Sequence, residues 1–129
     1  MPPPQLSLSG IVLDSPDPRQ LAAFYQRLLG WTVAQDEPGW VKLASPEGGP
    51  GLSFQAEPAY RRPSWPTDPG TGAQAAQQMM IHLDFKVDDL ELAGQHAVAA
   101  GAVLADYQPQ SDVRVYFDPA GHPFCLFLH

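Results

Sequence analysis

The stretch Gly10–Val33, GIVLDSPDPRQLAAFYQRLLGWTV, has a second copy of its grammar 72 residues further on, in His82–Leu104, HLDFKVDDLELAGQHAVAAGAVL. Each copy reads as a strand, an Asp, a helix, a stop at glycine and a further strand. Aligning Asp17 with Asp89 sets Gly10 opposite His82, and one deleted residue in the second helix brings Gly30 opposite Gly101. An internal repeat constrains a fold more than local propensity does. The two copies differ in chemistry, because only the second opens on a histidine.

Working outward, Leu6–Asp14 is an apolar, β-leaning run that ends at Ser15-Pro16, where proline disfavours continuation. Asp17 suits a helix cap and Pro18 the first helical position. Leu21, Phe24, Tyr25, Leu28 and Leu29 then recur at helical spacing up to Gly30. Trp31–Asp36, Trp40–Ala44 and Gly51–Ala56 are short strands separated by the turn signals Glu37-Pro38-Gly39 and Ser45–Pro50, so the first module reads β-α-β-β-β. The second restarts with Met80–Val87. Asp88 or Asp89 caps a helix running through Ala100, Gly101 stops it, and Ala102–Tyr107, Asp112–Phe117 and Pro123–Leu128 supply three more strands. Between the modules, Glu57–Gln78 is rich in Pro, Gly, Gln and Ala without a sustained period and reads as a linker, though Tyr60 and Trp65 are unusual in a spacer. The expected organisation is a single domain over 1–129, with module one at 6–57, the linker at 58–79 and module two at 80–129.

A chain of 129 residues can bury one core, which two modules of this size must share. The net charge of −7, with seven scattered Lys and Arg, leaves no basic stripe and argues against nucleic acid. MPPPQLSLSG has neither a basic nor an apolar leader region, and no apolar run approaches a membrane span. Cys125 is the only cysteine, so no intrachain disulfide can form. These features lead us to expect a soluble cytoplasmic protein without a membrane partner.

The paired modules, with DxxxLAxFYxxLLGW after the first strand, HLDFKVDD opening the second module and DPAGHPFCLF near the end, resemble the vicinal oxygen chelate superfamily. Within it the chain is most similar to the glyoxalase-like, bleomycin-resistance-like branch common in actinobacteria, which shares its fold with the extradiol dioxygenases. The resemblance covers essentially the whole chain and implies an α+β fold. In it, two βαβββ modules form an eight-stranded mixed, cup-shaped sheet with a helix packed on each half. It also implies a homodimer. Metal-dependent members place a ligand on the first and last strand of each module. Carried over, those positions are Gly10, Ser53 (or Gln55 on the same face), His82 and Cys125, and only His82 matches.

Glycine offers no ligand and a serine hydroxyl is a poor one, which leaves His82 and Cys125 and favours a soft metal such as zinc if any binds. Two ligands leave such a site short, so the expectation is no cofactor, with a divalent metal (zinc, iron, nickel or manganese) at His82 as the alternative. In the metal-free reading His82 is hydrogen-bonded inside the cup and Cys125 is a small buried hydrophobe. Asp84, two residues beyond His82, shares its face about 6 to 7 Å along the strand. The pair reads as an acid–base couple that favours protonated His82, or Asp84 simply satisfies a neighbour. Along Pro123–Leu128, Phe124, Leu126 and Leu128 share one face and Cys125 and Phe127 the other. A nearby His82 could activate the Cys125 thiol, against the alternative of an inert buried cysteine.

Catalytic candidates are therefore His82, Asp84 and Cys125. Ligand-binding candidates are Ser53, Gln55, Trp31, Trp40, Trp65 and Tyr116, with Tyr60, Tyr107 and Phe117 as further aromatics. Phe24 and Tyr25 read as core. Arg61-Arg62 either closes over an anionic or planar ligand or belongs to a solvated loop. His122 reads as a turn residue in place of the family's usual Asn, and His96 and His129 as surface groups.

The missing ligand set points to a binding module for a small, apolar or aromatic molecule. The alternative is a lyase, isomerase or dioxygenase of the vicinal oxygen chelate type. Glyoxalase I itself is disfavoured, because Ser53 and Cys125 remove the carboxylate ligands that double as its base. A structural or regulatory protein without a small ligand is the third possibility.

Overall fold

The computed structural model describes residues 3–66 and 77–128, and part of the expected 58–79 linker and His129 lie outside the described residues. The chain divides into two compact units, Met1–Pro58 and Ala59–His129. Each carries one helix and a four-stranded mixed sheet, so the repeat read from the sequence is a repeat of architecture.

In the first unit the elements are β1 (Gly10–Ser15), α1 (Pro18–Leu29), β2 (Thr32–Glu37), β3 (Trp40–Ala44) and β4 (Gly51–Ala56). The sheet order is β1-β4-β3-β2, with β1 parallel to β4 and the other pairs antiparallel. Parallel partners need a crossover connection, and α1 begins it. Asp17 caps α1 by accepting from the Gln20 amide, and Pro18 fills the first turn, where its missing N–H costs nothing. Gly30 ends the helix in the left-handed conformation, φ 72°, with its N–H donating to the Gln26 carbonyl. Leu21, Phe24 and Tyr25 are the buried stripe, and Tyr25 stacks on Phe54 of β4 with ring centroids 5.5 Å apart. Residues two apart on a strand share a face. Val41, Leu43, Leu52 and Phe54 therefore form the buried side beneath α1, while Trp40, Lys42, Ser53 and Gln55 face the other way.

The second unit repeats this plan with β5 (Leu83–Lys86), α2 (Leu90–Ala100), β6 (Val103–Leu104), β7 (Val113–Phe117) and β8 (Pro123–Phe127), in the order β5-β8-β7-β6. Asp89 is the cap, accepting from the Glu91 and Leu92 amides, and Gly101 ends the helix. The helix is one residue shorter than α1, as the deletion requires. Small side chains line its buried face, namely Gly94, Ala97 and Ala100, and Tyr116 reaches Gly94 across the space they leave.

Three strands differ from expectation by more than one residue at a boundary. β1 starts at Gly10 rather than Leu6, and β5 starts at Leu83, leaving Met80 and Ile81 outside the sheet and 84% and 78% exposed. β6 is two residues long because Gln108 takes over its pairing: the side-chain amide donates to the Val115 carbonyl and accepts from the Val115 N–H.

Two glycines are fixed by close approach. A Cβ on Gly51 would lie 2.6 Å from the Leu43 carbonyl oxygen, and one on Gly10 3.1 Å from that of Gly51. Gly51→Ala should therefore destabilise the protein by about 1–3 kcal/mol and Gly10→Ala by less. Urea unfolding of both variants checks this, and equal stability of wild type and Gly51→Ala would contradict the register.

Candidate functional site

The parallel pairing of β5 and β8 sets Asp84 beside Cys125 in register, and His82 stands just before β5. The three side chains emerge on the sheet face away from α2 and meet there. His82 Nε2 lies 3.1 Å from Asp84 Oδ1. The Cys125 thiol donates to the same carboxylate. Asp84 thus lies against both partners while more than half of its own side chain stays in water.

Cys125 is 4% exposed, and its pKa is pushed up to about 11 from 9.0, first by burial, then by the Asp84 charge and by the hydrogen bond to Asp84. The shift opposes the thiolate at ordinary pH, against activation by His82 and in the direction of the inert buried cysteine. Ala105 and Val115 pack against it, with Trp65, Val113 and Phe117 around them. His82 is held from above by Trp65, whose ring stacks on the imidazole with centroids 4.7 Å apart and planes 19° from parallel. The Ser64 backbone bridges to Gln78, so this stretch of the expected linker carries pairing of its own.

These residues border a pocket of about 390 Å³, walled by Val113, Val115, Phe127 and Leu128 and edged by Pro109, Gln110 and Asp112. Among the described residues its lining holds two carboxylates, Asp84 and Asp112, and no Lys or Arg. Such a site favours a cation or a hydrogen-bond donor over an anion.

Of the candidate residues, His82, Asp84, Cys125 and Trp65 are brought together. Tyr116 is not: one position on from Val115 it faces α2, stacking on Phe124 at 5.9 Å. Ser53, Gln55 and Trp40 belong to the first unit, where Ser53 is buried, the Gln55 amide donates to Asp14 at 3.2 Å and the Trp40 indole to Gln35 at 2.9 Å. Trp31 is half-buried ahead of β2. Arg62 lies against Gly121 and Arg61 is exposed, so neither edges the pocket. Asp112, Gln110 and the walls Val113 and Val115 went unread. Strand parity was the available signal, since Val115 pairs with Cys125 and their side chains share a face.

His122 belongs to a second His–Asp pair. The fully buried Asp118 accepts from the Ala120 and His122 amides and lies 2.9 Å from His122 Nδ1. Tyr60 packs beside the imidazole at 5.1 Å and donates to the Ala120 carbonyl. These contacts hold the β7–β8 turn, in which His122 was expected. His96 is exposed on α2.

Among the described residues no helix is long and apolar enough to cross a membrane. None of the curated proteins matches the chain. Solved structures do, among them a glyoxalase/bleomycin resistance protein/dioxygenase family enzyme from Burkholderia phytofirmans PsJN, at 20% identity and TM-score 0.68, covering 94% of this chain and 97% of that one. Another is a glyoxalase-related enzyme from Fulvimarina pelagi, at 19% identity and TM-score 0.66, covering 97% and 89%. A lactoylglutathione lyase from Agrobacterium tumefaciens shares 18% identity and a TM-score of 0.62, covering 98% and 96%. At such identities the likeness establishes the fold alone. The family model described as a glyoxalase-like domain matches residues 10–127, from the first residue of β1 to the last of β8, and the chain belongs to that family within the vicinal oxygen chelate superfamily.

Proposed function

We propose that this protein binds a small, flat molecule carrying a cationic or hydrogen-bond-donating group in the pocket of its second unit. The reading rests on one observation: Asp84 stands at the foot of an aromatic and aliphatic pocket whose described lining holds no Lys or Arg. The stacked Trp65 and His82 rings offer a planar edge, Val113, Val115 and Phe127 supply apolar walls, and the volume lies at the lower end for metabolite sites. This narrows the expected apolar or aromatic ligand by charge, and it argues against the anionic ligand once considered for Arg61-Arg62.

A second reading, lyase, isomerase or dioxygenase chemistry on an oxygenated metabolite, is favoured by the 3.1 Å approach of His82 Nε2 to Asp84 Oδ1, which sets an imidazole and a carboxylate side by side at the pocket. The neutral Cys125 takes no nucleophilic part in it.

Benzamidine should quench Trp65 fluorescence saturably, and Trp65→Phe should remove that quenching while Trp31 and Trp40 still emit. Asp84→Asn should weaken binding by about 1.5–3 kcal/mol, tenfold or more in Kd. Equal binding of benzoate and benzamidine would contradict the reading.

The same carboxylate sets the thiol. Iodoacetamide should label Cys125 slowly at pH 9 and several-fold faster in Asp84→Asn, which loses the charge that opposes the thiolate. Because the folded thiol titrates above its ordinary 9.0, its contribution to stability is whole below that pH and is lost as the pH rises through about 11. The fall in thermal midpoint over that window should flatten in Cys125→Ala, and an unchanged fall would place its cause elsewhere.

A further inference from the structure

We propose that the second unit carries a further binding site, on the face of its sheet that meets α2, for a small amphipathic acid made of a carboxylate on an aliphatic tail. A groove of about 760 Å³ lies there between α2, β6 and β7, roomier than the pocket beside Asp84 at about 390 Å³. Leu90, Gly94, Val98 and Ala99 of α2 and Leu104 of β6 wall it, and Arg114 and Tyr116 of β7 reach it from the sheet.

Strand parity creates the second site. Successive residues of β7 point to opposite faces. Val113 and Val115 therefore line the Asp84 pocket, while Arg114 and Tyr116 line the groove behind it. α2 meets the sheet through Gly94, Ala97 and Ala100, small residues that fill little of the space beside them, and Val98 and Leu104 stay 54% and 48% exposed. Leu90, Gly94 and Val98 recur every four residues and form one apolar stripe about 12 Å long. An aliphatic tail laid along it takes apolar surface out of water on both partners.

Two donors set the chemistry of the head group. Arg114 is tethered through Nη1 alone, which donates to the carbonyls of Gln110, Ser111 and Val113. Its guanidinium is thus held in place, and among the described residues its Nε and Nη2 have no acceptor. The Tyr116 hydroxyl lies over Gly94, in the space a side chain there would occupy, and it too makes no hydrogen bond among the described residues. Burial pushes the Tyr116 phenol up and the Arg114 charge pulls it back, so the two groups act on each other. A carboxylate only accepts, and a pre-positioned guanidinium beside a hydroxyl offers it the matching donors. Glu91 and Gln95 stand on the exposed rim, where water and salt screen the Glu91 charge. The groove therefore selects an anion with a tail, the opposite charge preference to the Asp84 pocket, with which it shares no lining residue.

This inference goes beyond the proposed ligand binding at Asp84 and is tested apart from it, with octanoate as the probe. Amide chemical shifts of the full-length protein are followed by nuclear magnetic resonance as octanoate, or neutral 1-octanol, is added. We expect saturable binding of octanoate, with the largest changes at Gly94, Val98, Leu104 and Arg114, and 1-octanol about tenfold weaker. Arg114→Gln should weaken octanoate about tenfold in Kd, with circular dichroism confirming the fold. Tyr116→Phe, which removes only the hydroxyl, should weaken it several-fold. Octanol binding as tightly as octanoate, octanoate shifts centred on Asp84 and Cys125, or Arg114→Gln binding octanoate as tightly as wild type would overturn the proposal. No octanoate binding, with sedimentation showing a dimer that Val98→Glu dissociates, would overturn it as well and assign the groove to a second copy of the chain.

Discussion

Parallel pairing of the first and last strand of each unit is the constraint on which this structure depends. Two parallel strands cannot be joined by a tight turn. The chain therefore leaves β1, passes through α1 and two antiparallel strands, and returns along the starting strand as β4; β5, α2 and β8 do the same. Asp84 and Cys125, 41 positions apart in the chain, become lateral neighbours. The strand-borne contacts of the candidate site follow from that adjacency, namely the thiol beside the carboxylate, the imidazole two residues back and the pocket walls contributed by β7, while Trp65 reaches His82 from outside the sheet.

The same constraint makes the two units unequal. In the first, Gly10 and Gly51 stand opposite each other and their backbones approach too closely for ordinary side chains, so the position equivalent to His82 has no chemistry to offer. In the second, His82 stands at the position of Gly10 and Cys125 at that of Ser53, with Asp84 beside both. Packing differs as well: aromatic residues fill the space under α1, whereas α2 meets its sheet through glycine and alanine and leaves room for the Tyr116 ring.

Much of this was legible in the sequence because the signals were local. Asp17-Pro18 and Asp89 start helices, Gly30 and Gly101 stop them, and a shift of 72 residues relates the two halves. What escaped was decided between strands. Gln108 ends β6 by bonding Val115 through its side chain, which propensity in Ala102–Tyr107 does not reveal. Tyr116 falls on the α2 side because Val115, and not Tyr116, pairs with Cys125, and parity across an unknown register cannot be read from one strand. Asp112 and Gln110 lay in a stretch without pattern. Asp84 was visible only as a neighbour of His82, since its bond to Cys125 exists only once β5 and β8 align.

The central claim is that the working site lies wholly on the second unit, around Asp84. Backbone and indole amide chemical shifts, followed by nuclear magnetic resonance as benzamidine is added, test it most directly. The account predicts that the largest changes fall at Trp65, Leu83–Phe85, Val113–Val115 and Cys125. Largest changes at Trp40, Ser53 and Gln55, with the second unit quiet, would contradict it.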